Sequence, residues 1–134
     1  MTPLIYDGTE DTPKVVLDRD AEEFLISGRS LPEDAFLFYK PIFRWLEEHA
    51  KNPKKKTIFR FELEYFNTSS AKQLSKIFIF LKNIKEEVEV IWCYQVDDID
   101  MLNSGKRFEK FTNLNFKMEV LPVIEDDDFR IITE

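Results

Sequence analysis

The stretch from Thr57 to Ser70 constrains this chain more than any other. Phe59, Phe61, Leu63 and Tyr65 alternate with Arg60, Glu62 and Glu64. Successive side chains of a strand point to opposite faces, so the pattern predicts a strand with one apolar and one charged face. A sheet built on such a strand keeps one side in water or lightly covered, which predicts helices mainly on the other side. Directly behind it, Asn67-Thr68-Ser69-Ser70 breaks the alternation and opens a helical pattern running to about Glu87. Leu74, Ile77, Phe78 and Leu81 form its buried stripe. Ile79 and Phe80 fall outside that stripe, so a second apolar face is either covered within the domain or meets a partner.

The rest of the chain fits around this unit. Residues up to Asp11 read as an irregular lead-in. Lys14 to Asp18 and Glu23 to Ser27 alternate and read as a hairpin around Asp18-Arg19-Asp20-Ala21. Ser30-Leu31-Pro32-Glu33 predicts a helix start, with Ser30 as cap, Pro32 in the first turn and Glu33 closing a capping box. That helix carries Phe38, Tyr39, Ile42, Trp45, Leu46 and His49 at helical spacing to about Asn52, and Pro53 ends it. Val88 to Tyr94 reads as a strand. Asp97 to Phe111 reads as a weaker helix with Ile99, Leu102 and Phe108 apolar. Asn115 to Leu121 reads as a last strand with Phe116, Met118 and Val120 inward. The order ββαβαβαβ predicts an α/β sandwich, a mixed sheet of about five strands with three helices mainly on one face. With 134 residues and no visible linker, one domain spanning 1–134 is expected.

Charge and cysteine content narrow the partners. The net charge of −7 repels phosphate backbones and anionic membranes, so neither nucleic acid nor a membrane surface is an expected partner. The basic run Lys51 to Lys56, broken by Asn52 and Pro53, reads as a solvated loop. Cys93 is the single cysteine, so no disulfide forms within the chain. No secretory leader pattern opens the sequence, and no apolar run approaches the ~20 residues of a membrane span. The expected location is the cytoplasm.

Catalytic chemistry has little to work with. His49 is the only histidine, so any nucleophile–base pair must use it, and it reads as a helix-end residue favoured by the dipole. Asp97, Asp98 and Asp100 lie close together, but Leu102 and Asn103 stand where a calcium loop needs a ligand and a glycine. No metal site and no cofactor is expected. Gly8, Gly28 and Gly105 are too scattered for a phosphate loop. Glu62 and Glu64 share a strand face rather than a pocket. The acidic group Glu125 to Asp128 reads as solvated charge. A hydrolase is the least favoured class.

What remains is the polar segment Asn67 to Ser70. Capping of the first helical turn accounts for one such residue, not for four in a row. A phosphate at this place would meet free N–H groups and the positive end of a helix. Two functional readings follow: a phosphorylation switch, or a receptor for a nucleotide or small phosphorylated ligand at the same helix end.

The chain resembles the SiaC family of bacterial regulatory phosphoproteins, whose fold looks like the STAS domains of anti-anti-sigma factors. The matching residues are Gly8-Thr9, Thr12-Pro13, Gly28, Ser30, Pro32, Glu33, Trp45-Leu46 and, most specifically, Tyr65-Phe66-Asn67-Thr68-Ser69-Ser70 with Lys72 after it. Leu31 stands where an aromatic is common in that family, and the part from about Asp97 carries little of the resemblance. The resemblance implies phosphorylation of Thr68 by a dedicated SiaB-type kinase with a histidine-kinase-like ATPase fold, and dephosphorylation by a PP2C-type phosphatase. It further implies that the unphosphorylated form binds and activates a diguanylate cyclase, promoting biofilm growth through cyclic di-GMP. Asn67, Ser69 and Ser70 would frame the phosphoacceptor, and Lys72 would be a cation within one turn. Such a protein is regulatory, not an enzyme.

Overall fold

The computed structural model describes residues 1–122. The acidic group at Glu125 to Asp128 lies outside the described residues. In chain order the elements are β1 (Leu4–Tyr6), β2 (Lys14–Asp18), β3 (Glu23–Ser30), α1 (Ala35–Lys51), β4 (Lys56–Phe66), α2 (Thr68–Lys82), β5 (Glu87–Tyr94), α3 (Ile99–Thr112) and β6 (Asn115–Val120). They build one mixed sheet of six strands in sequential order, β1-β2-β3-β4-β5-β6. β1, β2 and β3 pair antiparallel, and β3 to β6 pair parallel. Each parallel step is crossed by one helix, and sequential order with right-handed crossovers puts all three helices on one face.

The α/β class and the one-sided layering agree with the sequence pattern, and the strand count rises by one. The extra strand is β1, whose Leu4, Ile5 and Tyr6 pair with Leu17, Val16 and Val15. Three residues are too few to show an alternation. The hairpin of β2 and β3 turns without Asn-Gly because Glu22 takes φ 55° and the Asp18 carboxylate accepts the N–H groups of Asp20 and Ala21, each at 3.1 Å.

The inner face of the sheet carries Val15, Leu17, Phe24, Ile26, Phe59, Phe61, Val90 and Trp92, all buried against the helices. The aromatic content is concentrated here: Phe61 lies 4.8 Å from Phe59, 5.2 Å from Phe78 and 5.6 Å from Trp92 between ring centroids. The outer face carries ion pairs instead, with Arg60 3.0 Å from both Glu62 and Glu119. α3 approaches the sheet closely because Gly105 has no side chain: a Cβ there would overlap the Trp92 indole. Trp92 is fixed in turn by its Nε1, which donates to the Met101 carbonyl at 2.9 Å.

Three expectations are corrected. The first helix begins not at Ser30 but at Ala35, capped by Asp34, whose carboxylate accepts the Leu37 N–H at 3.0 Å. Ser30 instead ends β3 and is fully buried. α2 stops at Lys82, short of Glu87: Asn83 is its C-cap, and the next N–H, of Ile84, turns back to the Leu81 carbonyl at 3.2 Å in a tightened i→i−3 bond. Finally, Val120 at the end of β6 is exposed rather than inward. No helix among the described residues is long and apolar enough to cross a membrane.

Candidate functional site

The polar segment behind β4 is aimed by a slip in the sheet. Gly28 pairs with Leu63 but Arg29 with Tyr65, so Glu64 is an extra residue and the pleat reverses after it. Tyr65, expected inward, therefore turns outward, where the Arg29 guanidinium lies 5.4 Å from its ring centroid. Phe66 turns inward onto Trp92 and Phe108. The reversal also sets Ser30 beside Phe66, at the point where β4 gives way to α2.

At that junction the segment divides. Asn67 is the cap of α2: its side-chain oxygen accepts the Ser70 N–H at 2.9 Å, and its own N–H donates to the Ser30 carbonyl at 3.1 Å. Ser70 points inward, is fully buried, and donates its hydroxyl proton to the Ser30 carbonyl at 2.9 Å. A hydroxyl has one proton, so the 2.8 Å contact between Ser30 and Ser70 must be donated by Ser30. The 2.6 Å contact between Ser30 and Tyr39 must then be donated by Tyr39. A directed relay thus runs from α1 through β3 to the first turn of α2. Burial pushes the Tyr39 phenol up to about 12, so it stays protonated and able to donate.

Thr68 and Ser69 point outward and are exposed, as is Lys72 one turn later. Thr68 is the first residue of α2. With Asn67 satisfying Ser70, the N–H groups of Thr68 and Ser69 belong to the first turn, at the positive helix end, where no intrahelical acceptor exists. α2 contains Lys72, Lys76 and Lys82 and no acidic residue. Beside it, a groove of about 340 Å³ opens between the first turns of α1 and α2, lined by Glu33, Asp34, Phe36, Ser69, Lys72 and Gln73. Gln73 is only 7% exposed and its Oε1 has no hydrogen-bond partner among the described residues.

The other sequence candidates are placed apart from this corner. His49 is buried near the start of β4, where its Nε2 lies 3.1 Å from Thr57 Oγ1. An 11-residue strand separates that end from Asn67, a span of roughly 35 Å. Arg19 can only donate, so its 2.8 Å contact makes His49 Nδ1 an acceptor and Nε2 the protonated nitrogen. Desolvation, with the charges of Arg19 and Lys54, lowers the imidazole to about 4. His49 is therefore a neutral core residue, not a cation stabilised by the helix dipole. Cys93 is buried, and burial pushes its thiol up to about 11, away from the thiolate. Asp98 caps α3 through the Met101 N–H at 3.0 Å. Glu64 pairs with Arg29 at 3.5 Å.

The model of the SiaC family regulatory phosphoproteins matches residues 6–121. The chain belongs to that family. A relative from Pseudomonas aeruginosa, an uncharacterized protein, is 27% identical over 122 residues, covering 89% of this chain and 97% of its own. The crystal structure of apo-SiaC from Pseudomonas aeruginosa superposes with a TM-score of 0.80 at 24% identity, covering 89% of this chain and 99% of that one. A crystal structure of the diguanylate cyclase SiaD in complex with its activator SiaC, from the same organism, matches with a TM-score of 0.82 at 22% identity, covering 88% and 99%. At these identities the likeness to the solved SiaC structures is one of fold. Sequence reasoning missed Tyr39 and Gln73 as parts of the corner. Tyr39 sits at a helical position that reads as core, and only the placing of Ser30 beside Phe66 brings it to the corner, whereas Gln73 falls outside the apolar stripe of α2.

Proposed function

We propose that this SiaC family protein is a non-catalytic switch whose phosphoacceptor is Thr68. The observation that carries the reading is the division of Asn67 to Ser70 into two anchored and two presented residues. A kinase needs a hydroxyl it can reach, and Thr68 offers one on a backbone held from both sides. A SiaB-type kinase would transfer the γ-phosphoryl group of ATP to Thr68 Oγ1, the hydroxyl proton leaving, and a PP2C-type phosphatase would return the hydroxyl by hydrolysis. The added charge of about −1.5 to −2 lies at a helix N-terminus, where it is electrostatically tolerated and need not unfold α2.

The unphosphorylated form binds and activates a diguanylate cyclase in this reading, as the solved complex of SiaD with its activator SiaC suggests by analogy. Phosphate on Thr68 then opposes docking by like-charge repulsion and by the cost of desolvating a dianion. Coupling of roughly 1–3 kcal/mol changes affinity about 5- to 150-fold. Both ATP-dependent phosphorylation and a single free, buried Cys93 fit the cytoplasm as the working compartment.

The test is cyclase activation and binding with wild type, Thr68→Ala and Thr68→Asp, alongside peptide mass spectrometry of the protein from its host. Thr68→Ala is expected to activate and to resist the kinase. Thr68→Asp is expected to bind weakly. Equal binding by Thr68→Asp and wild type would sink the charge mechanism. Phosphate found on another residue would move the phosphoacceptor.

A further inference from the structure

We propose that Glu33 and Asp34 decide which hydroxyl of the polar segment takes the phosphate: they set two carboxylates in front of Ser69, so that Thr68 is phosphorylated and its neighbour is not. This rests on the switch reading above and adds what makes the switch selective.

The two hydroxyls differ little by themselves. Thr68 and Ser69 are adjacent, both are exposed, and both stand in the first turn of α2. Each would bring a phosphate to the same positive helix end. Lys72 does not separate them either. It follows Thr68 by four residues and Ser69 by three, and both spacings make neighbours on a helix. The third hydroxyl, of Ser70, is fully buried and already bonded to β3, out of reach of a kinase.

Direction separates them. Successive residues of a helix turn by about 100°, so adjacent side chains leave on different faces. Thr68 shares its face with Lys72, Ser75 and the exposed Ile79. Ser69 shares its face with Gln73, Lys76 and Phe80, and that face looks at α1: Lys76 Nζ lies 4.9 Å from the Phe36 ring centroid, and Phe80 stacks on Phe43 at 5.5 Å. Ser69 accordingly lines the groove between the first turns of α1 and α2, and Thr68 does not. Glu33 and Asp34 line the same groove against one lysine, Lys72. Asp34 is held in place by accepting the Leu37 N–H at 3.0 Å, and among the described residues Glu33 lies within 4.0 Å of no cation. A phosphate on Ser69, with a charge of about −1.5 to −2, would face both carboxylates. On Thr68 it keeps Lys72 and points away from them.

The experiment treats the full-length protein with the SiaB-type kinase and ATP and maps phosphate by peptide mass spectrometry. It compares wild type, Thr68→Ala, and Thr68→Ala combined with Glu33→Gln and Asp34→Asn, since asparagine caps a helix as well as aspartate does. Wild type should carry phosphate on Thr68 alone. Neutralising the two carboxylates in Thr68→Ala should raise phosphate on Ser69 by about fivefold or more. Thermal melts read the same charges without the kinase, by comparing Asp with the isosteric Asn at each position. Thr68→Asp should melt above Thr68→Asn, as an acid at a helix start does. Ser69→Asp should melt no higher than Ser69→Asn, and should gain over it once Glu33 and Asp34 are neutralised. Equal gains at both positions with Glu33 and Asp34 intact would overturn the inference and leave the Thr68 switch standing. So would phosphate on Ser69 that does not rise when they are neutralised. A wild type that takes no phosphate on Thr68 would remove the switch reading and this inference with it.

Discussion

Ser30→Ala tests whether the corner is held by a directed relay or by incidental contacts. In the wild type the Tyr39 hydroxyl donates to Ser30, Ser30 donates to Ser70, and Ser70 donates to the Ser30 carbonyl. Alanine at position 30 leaves the carbonyl in place, so Ser70 keeps its acceptor. Tyr39, fully buried, loses its only hydrogen-bond partner among the described residues. A buried hydroxyl without a partner costs about 1–3 kcal/mol, so Ser30→Ala should destabilise by about 2 kcal/mol. Tyr39→Phe removes the donor but leaves Ser30 bonded to Ser70, and should cost about 1 kcal/mol. With both changes neither half of the broken bond is stranded. The double variant should cost about 2 kcal/mol, not the roughly 3 kcal/mol of simple addition. Urea unfolding followed by tryptophan fluorescence measures all four proteins. Additivity within about 0.3 kcal/mol would refute the relay, because it would mean that Ser30 and Tyr39 do not share a bond that matters.

Further expectations follow from the same contacts. His49 has its imidazole lowered from 6.5 to about 4, so the unfolded chain binds its proton first and stability falls as pH drops through that window. The full contribution is present above about pH 6.5, and about 2 kcal/mol should be lost between pH 7.5 and 5; His49→Gln should flatten that slope in urea titrations at each pH. Gly105→Ala should cost at least about 1–3 kcal/mol, seen as a lower Tm, since the new Cβ meets an indole that cannot retreat. Asn67→Ala should cost about 1 kcal/mol by loss of the cap, and Asn67→Ser should recover most of it in the same melts.

Most of the fold was legible because periodicity reports the face a residue takes. Phe59, Phe61 and Leu63 on β4, and Leu74, Ile77, Phe78 and Leu81 on α2, all lie in the core as their spacing predicts. What failed did so for local reasons. The reversal at Glu64 inverted Tyr65 and Phe66, because one extra residue in a strand flips every side chain beyond it. Ser30 was misread because Ser-x-x-Glu before an apolar run is equally the pattern of a capping box, and only tertiary pairing shows that the chain is still extended there. His49 was placed correctly at a helix end but given the wrong charge, since the Arg19 donor facing it comes from a turn 30 residues away.

Under the proposed switch, the corner would give a role to each of the four polar residues where one cap would suffice. A switch that adds a dianion works on a surface only if the backbone beneath does not respond by melting. Asn67 satisfies the third N–H of α2 and ties its own N–H to β3. Ser70 ties the same turn to the same strand from the inside, and through Ser30 to α1. The helix start is thus fixed to two other elements, β3 and α1. Thr68 and Ser69 are released from structural duty by those bonds, and their hydroxyls face solvent with Lys72 one turn away. In the proposed switch, anchoring residues at positions 67 and 70 and presented residues at 68 and 69 would be the two halves of one device. If Thr68 is the phosphoacceptor proposed above, weakening the anchors should make phosphorylation cost stability, whereas with the anchors intact it should change only the charge a partner meets.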